Sequence, residues 1–264
     1  MKRILDKLWH KFFGAPYRLH VHETGRGKPL VLLHGLGGSG QKWRPLIELL
    51  DEGQWRILAP DLLGFGASPK PEWNAYNVEE HARNVISTLK RQKLPEAAVL
   101  VGHSMGCLVA VHIATTHPHL VKRLILYQPP LFADDPSFPK HSRARKRYFA
   151  FFGYMAERPQ WVFVQGRLLR RIAARISGLT MSKEGWLPFS RSLQNTIMGQ
   201  RAYDELHSIA IPTDIIYGRL DFVVTRAEVK KMFAHNKRIT LHLVTEMHDI
   251  TPRSAAYIMR LVTS

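Results

Sequence analysis

The stretch Gly102-His103-Ser104-Met105-Gly106 places a serine between two glycines in a chain of 264 residues. The apolar run Ala98-Val99-Leu100-Val101 before it is predicted to be a buried strand, and Met105 to Thr116 after it a helix. A serine at such a strand–turn–helix junction sits on a tight, strained elbow with its Oγ exposed. The glycines leave room for the helix and a neighbouring strand to approach. A serine hydroxyl is a poor nucleophile near neutral pH and needs a base, itself oriented by a third group. In this setting the partners follow in the order serine, acid, histidine. Asp221, in Gly218-Arg219-Leu220-Asp221 beyond the strand Ile215-Ile216-Tyr217, fits that order better than the alternative acids Asp134 and Asp135. His248, in Glu246-Met247-His248-Asp249, is singled out among 14 histidines by its place after the next strand. His242, inside a strand, and His235, at a helix end, read as structural. The chemistry such a set performs is attack on an acyl carbon, whose developing oxyanion needs preorganised N–H donors. The backbone N–H of Met105 and that of Leu36, in the loop His34-Gly35-Leu36-Gly37-Gly38, are the expected donors. No Lys-Ser/Thr follows that loop, so it does not read as a phosphate cradle.

These residues must be held by regular elements, and the chain supplies a rhythm of them. Tyr17 to His22 alternates like a strand. Pro29 to Leu33 is a short continuous apolar run, the pattern of a strand buried on both faces, and a helix is expected from Trp43 to Leu50. Strands follow at Arg56 to Ala59, at Ala98 to Val101 and at Leu124 to Tyr127, with a helix at about Val78 to Lys90. The rhythm breaks at Gln128-Pro129-Pro130. It resumes with strands at Thr213 to Gly218 and Thr240 to Val244 and a last helix through Tyr257-Ile258-Met259 and Leu261-Val262. Strands alternating with helices imply a largely parallel sheet covered on both faces. Residues 131–208 read as a helical insertion between two sheet strands, with 13 Lys and Arg against 6 Asp and Glu. The core is therefore expected at 15–130 and 209–264.

Composition excludes several classes. Apolar residues make up 45% and charged residues 22%, which marks a globular chain and excludes a disordered or fibrous one. Cys107 is the single cysteine, so no intrachain disulfide is available; one helical turn from the elbow, it reads as a small core residue. No run approaches the roughly 18 to 20 apolar residues of a membrane-spanning helix. The 38 Lys and Arg against 21 Asp and Glu give a formal net charge of +17. The run Lys140-His141-Ser142-Arg143-Ala144-Arg145-Lys146-Arg147 and the group Arg167, Arg170, Arg171 and Arg175 concentrate that charge. Yet no zinc-finger spacing, RNA-recognition signature or phosphate loop accompanies it, and an amphipathic helix with a solvated basic side needs no partner. Nucleic acid is not expected as a partner. Peripheral contact with an anionic membrane, or an anionic substrate, suits a positive field better. Residues 1–14 read as an amphipathic basic helix, with Ile4, Leu5, Leu8, Trp9, Phe12 and Phe13 at helical spacing. Asp6, Lys7 and Lys11 interrupt it too often for a secretory signal, which favours the cytoplasm. Packing of its Trp/Phe face on the protein body is preferred over an interfacial helix on lipid.

Taken together, His34-Gly35-Leu36-Gly37-Gly38, Asp61-Leu62-Leu63-Gly64-Phe65-Gly66-Ala67-Ser68, the Ser104 pentapeptide, Gly218-Arg219-Leu220-Asp221 and His248 resemble the α/β-hydrolase superfamily, in its subgroup with a helical cap. The resemblance implies an α/β-hydrolase fold with a mostly parallel sheet and 131–208 as an inserted cap. It implies Ser104, Asp221 and His248 as catalytic triad, Leu36 and Met105 as oxyanion donors, and no metal or organic cofactor. Serine at position 104 departs from the dehalogenases and epoxide hydrolases of the superfamily, which carry aspartate there. His103 and Gly37-Gly38 depart from the carbon–carbon bond hydrolases, which typically carry Asn before the serine and a Gly-Pro-Gly loop. Met247 stands where a glycine usually precedes the histidine. The expected activity is hydrolysis of carboxylic esters of short to medium acyl chain, or of lactones, through an acyl-enzyme. Carbon–carbon cleavage or perhydrolysis by the same triad is the alternative, and a non-catalytic protein of anionic membrane surfaces the alternative of another class. His103, Trp161, Trp186 and Phe222 are candidate pocket residues, and Phe163, Leu187 and Phe189 of the expected cap are further candidates for its lining.

Overall fold

The computed structural model describes residues 8–131, 150, 153–154, 184–221 and 236–264. Among these residues seven strands form one sheet: β1 (Val21–Gly25), β2 (Lys28–Leu33), β3 (Trp55–Pro60), β4 (Ala98–His103), β5 (Val121–Tyr127), β6 (Thr213–Gly218) and β7 (Ile239–Val244). Their spatial order is β1-β3-β2-β4-β5-β6-β7. β1 runs antiparallel to β3, with Val21 opposite Pro60, and every other pairing is parallel. The inner strands alternate between two buried layers. In β2, Val31 and Leu33 enter one layer while Leu30 and Leu32 enter the other; Leu124 and Leu126 of β5 oppose Ile125 and Tyr127 in the same way. Side chains of successive strand residues point to opposite faces, so continuous apolar runs need helices on both sides.

Beyond the N-terminal helical residues, the described helices include α1 (Arg44–Ile47), α2 (Val78–Arg91), α3 (Met105–Thr116), α4 (Trp186–Ser192), α5 (Ala202–His207) and α6 (Pro252–Thr263). α2 starts where the Asn77 side chain accepts from the Glu80 N–H at 2.9 Å. Glu79 and Glu80 lie in its first turn and Lys90 and Arg91 in its last, which complements the helix dipole. α3 is apolar nearly all round because it is covered by the sheet, α2 and α5. The expected helix from Trp43 to Leu50 is replaced by a 3-10 turn, Gly40–Trp43, leading into the short α1. The first strand starts at Val21, later than the alternation from Tyr17 suggests. Most of the expected cap lies outside the described residues. Its described end, α4, continues into a π-helical turn, Leu193–Met198, and packs Phe189, Leu193 and Ile197 into the core.

The preferred packing of the N-terminal helix needs correction. Residues 8–12 are helical, but Trp9, Phe12 and Phe13 remain 60%, 71% and 75% exposed. His10 occupies the inward position instead, its ring stacked on Tyr17 at 3.7 Å and its Nδ1 2.7 Å from the Ala15 carbonyl oxygen.

Candidate active site

The elbow is built from β4, which runs straight into α3. Between them Ser104 adopts φ +51° and ψ −121°, a region costly for any residue with a Cβ. The strain is held on both sides. The Ser104 N–H donates to the Tyr127 carbonyl at 3.0 Å, and its own carbonyl accepts from the Cys107 N–H at 2.9 Å. Gly106 permits the closeness: a Cβ there would collide with the Leu33 carbonyl of β2. Met105 opens the helix, so its N–H belongs to the first-turn donors that have no acceptor within the helix.

Parallel pairing puts the carboxyl ends of β2, β4, β6 and β7 on one edge of the sheet, where open α/β sheets carry their sites. Ser104 follows β4, Asp221 follows β6 and His248 follows β7. The Ser104 Oγ lies 2.9 Å from His248 Nε2, and His248 Nδ1 lies 2.8 Å from Asp221 Oδ2. A carboxylate can only accept, so Nδ1–H donates to Asp221, leaving Nε2 as acceptor for the Ser104 hydroxyl. The Asp221 side chain is fully covered, while that of His248 keeps 20% exposure. The hydrogen bond to Asp221 is thus buried and the proton-accepting edge can be reached.

The loop after β2 lies against the serine: a Cβ on Gly35 would stand 3.0 Å from Ser104 Cβ. Its shape is set by His34, whose Nε2 accepts from the Leu62 N–H at 2.9 Å. The ring proton therefore sits on Nδ1 and is donated to the Gly35 carbonyl at 2.8 Å. The Gly38 N–H donates to the same carbonyl at 3.1 Å. Leu36, between them, is partly buried against the core.

Sequence reasoning passed over the residues that hold the two loops in register. Gln128, fully buried just past β5 at φ +53°, accepts from the Gly218 N–H at 2.8 Å and donates to the Met247 carbonyl at 2.7 Å. One amide thus ties the start of the Asp221 loop to the residue before His248. The Tyr127 hydroxyl adds contacts to the Met247 and Asp249 carbonyls at 3.3 and 3.1 Å. The only hint in the sequence is a lone amide between an apolar strand and Pro129-Pro130. His103, offered as a pocket residue, sits behind the site: its Nε2–H donates to the His248 carbonyl at 2.8 Å, and its ring packs near Tyr127 and Trp43. Trp186 is buried, stacked on Phe189 at 5.7 Å. Trp161, Phe163, Phe222, Asp134, Asp135, His235 and both basic clusters lie outside the described residues. Cys107 is buried, with Sγ 3.1 Å from the Gly102 carbonyl, and burial pushes its thiol well up.

Three histidines near this edge are held neutral. Burial lowers His34 to about 4, His81 to about 3 and His103 to about 3, the last helped by the neighbouring His248. All three values lie below the ordinary 6.5, so the stability these neutral rings give is complete above pH 6.5. It is lost as pH falls toward 4, because the unfolded chain takes up protons that the buried rings refuse. Urea-unfolding midpoints are expected to hold above pH 6.5 and to fall between pH 6.5 and 4, less steeply in His81→Gln, which removes one such ring. Equal slopes for the two proteins would show that the His81 ring is not responsible.

A serine on a strained elbow at the carboxyl edge of a mostly parallel sheet, in contact with a histidine from a later loop, defines the α/β hydrolases as a class. The family description "alpha/beta hydrolase fold" matches residues 28–244, and the chain belongs to that family. It is 28% identical over 236 residues to a pimeloyl-[acyl-carrier protein] methyl ester esterase of Legionella pneumophila (strain Corby), covering 87% of this chain and 92% of that protein. It is 35% identical over 120 residues to "Probable lysophospholipase BODYGUARD 4" of Arabidopsis thaliana, covering 45% of this chain but only 29% of that protein. The solved esterase EaEST from Exiguobacterium antarcticum superposes with TM-score 0.70 at 20% identity, over 93% of this chain and 96% of that one. That last likeness concerns the fold alone.

Proposed function

We propose that the protein hydrolyses carboxylic esters, linear or lactone, through an acyl-enzyme on Ser104. The observation that carries this reading is the 2.9 Å contact between the Ser104 Oγ and His248 Nε2, made at a strained elbow with Asp221 behind the ring. The Oγ forms a bond to the acyl carbon while its proton passes to Nε2, and the imidazolium is stabilised by Asp221. The carbonyl oxygen, now negative, is received by the N–H groups of Leu36 and Met105. The carbon–oxygen bond to the alcohol then breaks, and the leaving oxygen takes the proton from Nε2. Water repeats the sequence, its proton going to His248 and the acid leaving Ser104. Serine in place of aspartate at position 104 supports acyl chemistry, as does the ester-hydrolysing activity that the Legionella relative's name states. Acyl selectivity belongs to the cap and to Trp161, Trp186 and Phe222.

The reading is tested by hydrolysis of p-nitrophenyl esters from acetate to decanoate, followed by lactones. Turnover with an optimum at short or medium length is expected, and no turnover on any of them would remove the proposal. The loop clamp gives a second result. Gln128→Leu deletes both of its hydrogen bonds and lets the Asp221 and His248 loops separate. A displacement of about 1 Å costs on the order of 100-fold in rate, so kcat is expected to drop roughly 10- to 100-fold with KM little changed. Gln128→Glu keeps the acceptor for Gly218 but sets a second acceptor against the Met247 carbonyl, so it should lose at least as much. A parallel loss in KM, or wild-type kcat in Gln128→Leu, would remove the positioning role.

A further inference from the structure

Among the described residues the N-terminal aromatic face has no cover, and we infer that it docks on an anionic lipid bilayer. Leu8, Trp9, Phe12 and Phe13 are all exposed. Residues three and four apart share a helix face, so Trp9 and Phe13 stand one above the other, their ring centroids 5.7 Å apart, with Leu8 and Phe12 alongside. The face is presented by anchoring on the opposite side. His10 stacks on Tyr17, the Tyr17 N–H donates to Asn84 Oδ1 of α2 at 2.5 Å, and Arg83 donates to the Gly14 carbonyl. The aromatic side chains therefore point away from a fixed base.

Charge selects the occupant. Lys11 flanks the face, with its Nζ 5.9 Å from the Phe12 ring centre. The residues just before it in sequence carry Lys2, Arg3 and Lys7 against Asp6 alone, and the chain as a whole carries +17. The core of a protein–protein interface is depleted in lysine. By contrast, aromatic residues bordered by lysines are the composition of helices that lie in the interfacial plane of anionic membranes. Among the described residues no helix is long and apolar enough to cross a membrane, so the contact is one of lying on the surface. It needs neither Ser104 nor its partners.

The test is cosedimentation of the full chain with phosphatidylcholine vesicles, with and without phosphatidylglycerol. Binding to the phosphatidylglycerol vesicles at low ionic strength is expected, weakened by salt and with a blue shift of tryptophan emission that is smaller in Trp9→Phe. Trp9→Ser/Phe12→Ser/Phe13→Ser should lose binding about tenfold or more, since insertion scales with buried apolar area, while keeping its urea midpoint. Lys11→Glu should lower binding to the anionic vesicles only. If the triple variant sediments like wild type, the positive surface elsewhere binds and the inference fails. It fails equally if wild type does not sediment, or sediments as well with phosphatidylcholine alone.

Discussion

Ser104→Ala is expected to lower kcat on the best p-nitrophenyl ester by several orders of magnitude, on the order of 10^4 to 10^6, with the urea midpoint unchanged or raised. The hydroxyl lies against His248 at 2.9 Å, and its loss removes the atom that would form the acyl bond. What remains is the contribution of the N–H donors and of binding, which leaves a small rate above water. Stability should not suffer, because alanine keeps the elbow's backbone bonds to Tyr127 and Cys107. Stopped-flow records should show a burst of p-nitrophenol in wild type if deacylation is slower than acylation, and none in the variant. Equal rates for the two proteins would mean that Ser104 is not the nucleophile.

Asp221→Asn is the second large effect, with kcat expected to fall by about 10^4 and KM to change little. The buried carboxylate fixes the proton of His248 on Nδ1. An amide of the same shape can offer its N–H to Nδ1 instead, which moves the ring proton to Nε2, where it blocks acceptance from Ser104. The imidazolium formed during attack also loses its counter-charge. An NMR spectrum of the imidazole nitrogens should show the protonated position exchanging from Nδ1 to Nε2. A variant with full turnover and an unchanged spectrum would leave Asp221 no part in the reaction.

The parts of this site that the sequence made legible are those where one residue type has few uses. A serine between glycines at the end of an apolar run, an acid after the next strand and a histidine after the one following leave little room for another reading. The structure brings these three together. The alternation of strands and helices likewise led to the parallel sheet, because a strand buried on both faces cannot be polar on either. Gln128 was invisible because its role depends on two backbone groups from distant loops, which no local pattern records. The tautomer of His34 depends on the Leu62 N–H in the same way. The N-terminal helix shows a different limit. Its periodicity declares an apolar face, yet the side that packs was decided by His10, a polar residue that found a stacking partner in Tyr17.

Ser104 and His248 are separated by 144 positions, and Asp221 and His248 by 27. The base is carried just beyond β7, an edge strand, which among the described residues pairs with β6 alone. A chain is made amino end first, so the elbow and its glycine loop leave the ribosome long before the histidine does. Until that last strand is laid down, the Ser104 hydroxyl has no His248 Nε2 to lie against. On the proposed mechanism, a fragment that ends before His248 lacks the base for Ser104.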